Sequence, residues 1–428
     1  MEKVVVVSGC RTPVGSFGGC LKSIGVVDLC ARVLKETLAR VNLKPAAGPN
    51  DSTYRPNKMG DSAELPLVTE YASWDKDAQE ISIDEVVMGN VLAAGQGQNP
   101  ARQAMVRAGL NLETPACTIN KVCGSGLKSV AFGAQSIMAG QAEVILAGGM
   151  ENMSQVPMAL PKARWGYRME VSGTGDIRDL MVFDGLYEIF YGYHMGVTAE
   201  NIANLYAISR EDQDRLACMS HQRAMSAIEQ GLFIDEIVDV VVKSRKGDIT
   251  VDTDERPMQT SMEKLARLRP VFATDGTVTA GNASGINDGA AAVLLMSETK
   301  AKSLGLTPLL TIESFASGGL DPAYMGMGPV PAVRKALEIA GKTLDDMELI
   351  ELNEAFASQA LGCMLELGID VEKPNQLGSG ISMGHPVGCT GARQLVTTMN
   401  QMQRGNLATG LITMCIGGGM GMAMVVSR

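Results

Sequence analysis

Histidine, aromatic residues and paired cysteines are scarce in this sequence, and each scarcity excludes something. The chain of 428 residues holds three histidines, two tryptophans and 4% aromatic residues. Its nine cysteines are an odd number, with no CxxC pair and no Cys/His grouping at zinc-ligand spacing. That removes a disulfide framework and a zinc site as organising devices, and no metal is expected. No apolar stretch free of charge reaches the ~18 residues that would suggest a membrane span. The start, "MEKVVVVSGCRTP", reads as an immediate first strand, not a leader, so reduced thiols in the cytoplasm are expected. A formal net charge of −10 disfavours nucleic acid as a partner. The length suggests two or three domains.

What is present is an alternation of strands and helices. "KVVVVS", "IDEVVMGNVL" and "ACTINKV" read as strands, and "AEVILAGGM" as a strand ending in a glycine turn. "VVDLCARVLKETLARVNL" and "NPARQAMVRAGL" have helical spacing, and a helix is expected from about Gly124 to Ala139. Residues 46–81 break this rhythm with a polar, turn-rich stretch, read as a surface excursion. Helical spacing returns in "TAENIANLYAISREDQDRLACMSHQRAMSAIEQ", with Thr198, Glu200 and Asn201 marking its start and His221 on a charged face. From "PLLTIESFAS" onward the α/β rhythm resumes. It runs through "VPAVRKALEIAG", "LIELNE", "AFASQALGCMLELG" and "GCTGARQLVTTMNQMQRG" to two strands in "LITMCIGGGMGMAMVVS".

The two ends resemble each other. "CGSGLKSVAFGAQSIMAGQAEVILAGGM" and "GCTGARQLVTTMNQMQRGNLATGLITMCIGGGM" share one order of Gly-flanked helix start, helix, Gly, strand and Gly-Gly-Met. The expected fold is α/β, two duplicated halves with a large insertion between them. A pseudo-twofold axis would then bring Cys123, His385 and Cys415 near one another.

Each of these residues carries two readings. Cys123 at a helix start meets the positive end of the macrodipole and free N–H groups, which favour a thiolate nucleophile. A lone free cysteine is more often a small buried hydrophobe. His385 in "GHPVG" is a candidate base or oxyanion donor, or a satisfied turn histidine. Asn353 in "LNEAF" is a candidate to hold a water or orient an imidazole, or a strand-end cap. Cys415 precedes three glycines whose N–H groups suit an oxyanion, or it is core packing.

The set is more specific than its members. "NKVCGSGLKSV", "GGMENMS", "TAGNASGINDGAA", "NEAFA", "GHPVGCTGAR" and "CIGGGMG" occur in that order and closely resemble the thiolase family over almost the whole chain. The resemblance implies an acyltransferase with α/β/α/β/α layered halves. The N-terminal half would comprise residues 1–155 plus about 287–306, a loop domain for coenzyme A residues 156–286, and the C-terminal half residues 307–428. By matching position, Cys123 would be the acyl-accepting nucleophile and His385 its activator. Asn353 would position a water beside the thioester oxygen, and Cys415 would take a proton from the α-carbon of the incoming acetyl group. The N–H groups of Cys123 and Gly417 would form the second oxyanion site. His194, Met195, Ser284, Leu186, Ala280, Met325 and Phe356 match positions lining the pantetheine and acyl pocket, although methionines are equally at home in a core.

The implied reaction is Claisen condensation of two acetyl-CoA to acetoacetyl-CoA and CoA, or the reverse thiolysis. No cofactor is expected beyond these thioesters, and a homo-oligomer, dimer or tetramer, is implied. "YHMG" resembles the short-chain branch of the family. The alternatives are a thiolase of broader chain length in fatty-acid degradation, a Cys-His-Asn hydrolase and a silent lipid-binding scaffold. The second cysteine and the "NEAF" context argue against the hydrolase. Intact positions 123, 353, 385 and 415 argue against the scaffold. Two departures from the family pattern stand out: the longer 46–81 stretch, and Cys389, read as a small residue filling a glycine-rich turn. Basic residues in "EKLARLRPVF" are read either as phosphate ligands or as a solvated charge run.

Overall fold

A computed structural model describes residues 2–46, 66–169 and 175–428. Its centre is one ten-stranded sheet. Nine strands form the main path: β1 (Val4–Arg11), β2 (Glu85–Gly89), β3 (Ala116–Ile119), β4 (Val144–Asn152), β5 (Asn287–Ser297), β6 (Leu310–Gly319), β7 (Leu349–Leu352), β8 (Thr409–Ile416) and β9 (Met420–Ser427). They lie in the order β7-β8-β9-β6-β1-β5-β4-β2-β3.

That order repeats one pattern twice. From β1, the chain pairs antiparallel to β5, then antiparallel to β4, then parallel to β2. From β6, it pairs antiparallel to β9, then antiparallel to β8, then parallel to β7. The halves join where β1 meets β6, at Val5 opposite Thr311 and Val6 opposite Leu310.

The helices explain why two half-sheets share one core. They are α1 (Val26–Ala39), α2 (Pro100–Arg107), α3 (Ser125–Met138), α4 (Met195–Leu205), α5 (Arg210–Glu229), α6 (Pro329–Ala340), α7 (Ala357–Leu367), α8 (Gly380–Met383) and α9 (Thr390–Gly405). α9 packs on α3 and on strands of both halves. Its residues 390–399 are buried on every face except Asn400 beyond them, as suits a helix inside a core and not one on a surface. α1 and α2 cover the outer face of one half-sheet, and α6 and α7 the outer face of the other. The result is five layers, helix, sheet, helix, sheet, helix. β1 records this in its side chains: Val5 and Val7 enter the outer core, and Val4 and Val6 the central one.

Several expectations change. "AEVILAGGM" does not end in a glycine turn; Gly148 and Gly149 are interior positions of β4. They allow close approach: a Cβ on Gly149 would lie 2.1 Å from the Gly388 carbonyl oxygen, and one on Gly148 2.1 Å from that of Ala291. The long helical stretch is two helices, broken at Tyr206–Ser209. The first begins at Met195 with His194 as its cap, so Thr198 is inside it, and Ser209 caps the second. Glu200 turns inward and accepts the N–H groups of Thr277 and Val278. His221 is buried, not on a solvated face, and its Nδ1 accepts from Met258 N–H at 3.4 Å. Of the 46–81 stretch, residues 47–65 lie outside the described residues. Pro66–Tyr71 is helical, and Gln79–Ile81 pairs parallel with Leu43–Pro45. Residues 156–286 carry three two-stranded ribbons, at 158–159/178–179, 187–188/193–194 and 240–242/249–251, besides α4 and α5.

The Gly149 contact yields a prediction. Gly149→Ala forces backbone apart in the interior, and overpacking of this kind typically costs about 1–3 kcal/mol. A lower denaturant midpoint with an unchanged m-value is the expected result in equilibrium unfolding.

Candidate active site

Cys123 sits in the tight connection between β3 and α3. Asn120 Oδ1 accepts Val122 N–H at 2.8 Å, and Ser125 Oγ accepts Lys121 N–H at 2.8 Å while donating to the Val122 carbonyl at 2.7 Å. These bonds hold Val122 at φ 47°, a strained value for a β-branched residue. Cys123 follows, 4% exposed, just ahead of the first turn of α3. Gly126, one turn on, packs against the loop after His385: a Cβ there would lie 2.9 Å from the Gly388 carbonyl oxygen and 2.9 Å from the Ala392 nitrogen.

Cys415 arrives from the far half, near the end of β8, and is fully buried. The hairpin after it contains Gly418 at φ 80° and Gly419 at φ 78°, which only glycine adopts readily. This turn sets Gly417 beside the Cys123 turn, where a Cβ on it would lie 3.2 Å from the Val122 side chain. Its N–H and that of Cys123 both pull the Cys123 thiol down.

Burial dominates the acidity of both thiols. It pushes the Cys123 thiol up to about 11, against the opposing pull of the Gly417 N–H and its own N–H. The N–H groups of the helix start pull toward thiolate as expected, and desolvation pulls harder the other way. Burial, with Cys123 and Cys363 nearby, pushes Cys415 well above the ordinary thiol range.

His385 lies between α8 and α9. Its N–H donates to Asn287 Oδ1 at 3.0 Å, and Gly384 at φ 97° rests on the same amide. Its Nδ1 lies 2.6 Å from Thr390 Oγ1. Asn353, immediately after β7, places its Nδ2 at 3.4 Å from Nε2 and 3.5 Å from Nδ1. The Asn353 Oδ1 is buried without a protein partner. Burial lowers the imidazole to about 3, assisted by the charge of Arg393.

A compact apolar wall stands beside these groups. Met195, Met325, Phe356 and Cys415 pack in one cluster with Ala199, Val278, Ala283 and Ala355, and Val122 and Phe272 lean on it. His194 caps α4, accepts Gly196 N–H at 3.0 Å and stacks on Phe272 with ring centroids 4.7 Å apart. Leu186 is half-buried against the central core layer that holds Cys123, and its carbonyl accepts Met195 N–H at 2.8 Å. Ser284 donates its N–H to the Ala355 carbonyl at 2.9 Å, next to Phe356. Ala280 stands apart from this cluster on an exposed turn. Lys264, Arg267 and Arg269 are exposed. Cys389 is buried with Ala291 and Ala392 as a small packing residue.

Family models match both halves: "Thiolase, N-terminal domain" over residues 72–299 and "Thiolase, C-terminal domain" over residues 306–428. The chain belongs to the thiolase family. This thiolase is 50% identical over 427 residues to a Syntrophomonas wolfei protein named acetyl-CoA acetyltransferase, with 99% of each chain covered. It is 50% identical over 430 residues to an Escherichia coli protein of that name, with 100% of each covered. A Staphylococcus aureus relative, 47% identical with 100% of each covered, is named probable acetyl-CoA acyltransferase. The crystal structure of the Bacillus anthracis acetyl-CoA acetyltransferase matches with a TM-score of 0.89 at 40% identity, covering 100% of this chain and 99% of that one.

Three residues of this thiolase's site were passed over in the motifs that contain them. Thr390 and Asn287 hold His385 from both sides. Glu151 in "GGMENMS" accepts the N–H groups of Val91, Leu92 and Gly388, tying the His385 loop to the first half. The signal was their place inside Gly-rich motifs already quoted for other residues. Among the described residues no helix is long and apolar enough to cross a membrane.

The low imidazole value has a thermodynamic sign. His385 resists protonation when folded and accepts it readily when unfolded, near pH 6.5. Its contribution to stability is complete above about pH 6.5 and is lost as pH falls toward 3. A His385→Asn variant should therefore lose less stability than the native protein between pH 7 and 5, as measured by urea unfolding at each pH.

Proposed function

We propose that this thiolase is an acetyl-CoA C-acetyltransferase. It condenses two acetyl-CoA to acetoacetyl-CoA and CoA, or cleaves acetoacetyl-CoA with CoA, through an acyl-cysteine. One observation carries the reading: two buried cysteines from opposite halves sit on segments that touch, Ile416 against Gly124 and Gly417 against Val122. The names borne by relatives near 50% identity over full length support the acetyl specificity.

The steps follow from the groups present. Cys123 gives its proton to His385 as its sulfur attacks the thioester carbonyl, and the CoA thiolate leaves with the proton of Cys415. Desolvation keeps the thiol from ionising idly, so the sulfur becomes nucleophilic only when its proton has somewhere to go. The acetyl oxygen rests on the N–H groups of Cys123 and Gly417. Cys415, now a thiolate, takes a proton from the methyl group of a second acetyl-CoA. The enolate oxygen is held by the Nε2–H of the His385 imidazolium and by a water on Asn353. Carbon–carbon bond formation frees the Cys123 sulfur, which takes its proton back from His385. A thiol of raised pKa is the matched partner for a weakly acidic methyl group. Met195, Met325 and Phe356 close the acyl pocket to a short chain, while His194, Leu186, Ala280 and Ser284 line the pantetheine path. Acetyl-CoA, acetoacetyl-CoA and CoA are the only partners the chemistry needs, without metal or prosthetic group. The protein works in the cytoplasm as a homo-oligomer, dimer or tetramer.

Acetoacetyl-CoA loss should require free CoA and should fall at least about 10³-fold in Cys123→Ala, the scale seen when a covalent nucleophile is removed. Loss without CoA, or an unchanged rate in the variant, sinks the reading. A chain-length series should decline steeply beyond four carbons. Equal or better turnover of an eight-carbon ketoacyl-CoA returns the broader-chain alternative.

A further inference from the structure

We infer that Thr390 is a positioning residue that holds His385 with its single proton on Nδ1, leaving Nε2 bare to receive the Cys123 proton. The inference rests on the acyl-transfer reading of Cys123 and assigns a task to a residue outside the four chemical positions.

Thr390 Oγ1 has two polar neighbours, His385 Nδ1 at 2.6 Å and the Pro386 carbonyl oxygen at 3.0 Å. A hydroxyl has one hydrogen to donate, and a carbonyl oxygen only accepts. The Pro386 carbonyl already takes the N–H groups of Cys389 and Thr390. A threonine hydroxyl in a helix commonly shares such an i−4 carbonyl with the backbone N–H. With its hydrogen committed there, Oγ1 accepts, and the hydrogen between it and the ring belongs to Nδ1.

The other side of the ring agrees. Asn353 Nδ2, a donor, lies 3.4 Å from Nε2 and 3.5 Å from Nδ1, and with Nδ1 engaged by Thr390 the nitrogen open to it is Nε2. Asn287 fixes the backbone that carries the ring by accepting His385 N–H. Thr390, Asn353, Asn287 and His385 are all at most 5% exposed.

The consequence is a directed proton path. The Cys123 S–H bond breaks and an Nε2–H bond forms, giving an imidazolium whose two hydrogens face the site and Thr390. The proton stays on Nε2, where it faces the enolate oxygen, and returns to Cys123 when carbon–carbon bond formation frees the sulfur. In the opposite tautomer Nε2 is already protonated, and the thiol has no acceptor.

The test joins spectroscopy and rate. In the native protein labelled with ¹⁵N-histidine, only three side chains report, and His194 and His221 variants assign them. The expected pattern is a protonated Nδ1 and a bare Nε2 for His385. In Thr390→Val, which keeps the shape and removes the hydroxyl, kcat for acetoacetyl-CoA thiolysis should fall roughly 10- to 100-fold, part of what a general base contributes. KM should stay nearly constant, and Thr390→Ser should restore most of the rate. A proton on Nε2 in the native protein overturns the inference, and that reading needs no variant to fold. So does an unchanged kcat in a folded Thr390→Val, or a Thr390→Ser as slow as the valine variant. Loss of activity in Cys123→Ala tests the acyl-transfer reading separately.

Discussion

The site depends on backbone touching backbone at three glycines. Gly126 at the start of α3, Gly149 inside β4 and Gly388 before α9 meet so closely that a methyl group on any of them would overlap a neighbouring atom. This contact lies where the two central helices begin, one from each half. It sets the distance between the Cys123 turn and the His385 loop, and Glu151 reinforces it by binding three N–H groups across the same gap. With side chains in place of these glycines the layers could still stack, but the two helix starts would be held apart.

A second consequence of that close packing is electrical. Burial disfavours charge on the reacting groups themselves. Both cysteines are held as thiols and His385 as neutral imidazole, all by the same loss of water. The helix-start N–H groups do not reverse this, because their pull is smaller than the cost of burying an ion without a partner. Charge appears only in transit, when one group's proton is another's gain. Exposed thiolates are the oxidation-prone form of cysteine, and this site avoids keeping one.

Much of this was legible in the sequence. Strand and helix positions followed from apolar spacing, and the repeated motif pair implied two halves, which the doubled strand order displays. The motifs around Cys123, Asn353, His385 and Cys415 pointed to the residues that form the buried centre, because glycine-rich stretches advertise close approach. Reading failed where one residue type serves two purposes. Gly148 and Gly149 looked like a turn, since spacing does not distinguish a bend from a place where another backbone must fit. His194 was taken for a pocket residue and is also the cap of α4, while Thr198 looked like that cap. His221 sits among charged residues in sequence and is covered by a distant loop in space. At Cys123 the sequence displays the pull of a local dipole, but the opposing depth of burial is a property of the whole fold.

The place of β5 in the sheet has a bearing on how the chain comes together. It is the central strand of the first half, flanked by β1 and β4, yet it begins at Asn287, more than 130 residues after β4 ends. During synthesis the first half must wait with an unfilled slot between its own strands while the whole intervening region emerges. Until then β1 and β4 present unpaired edges, which are sticky toward other chains. In the second half the matching strand, β9, follows β8 directly after a tight turn, so its slot beside β6 is filled as soon as the chain ends.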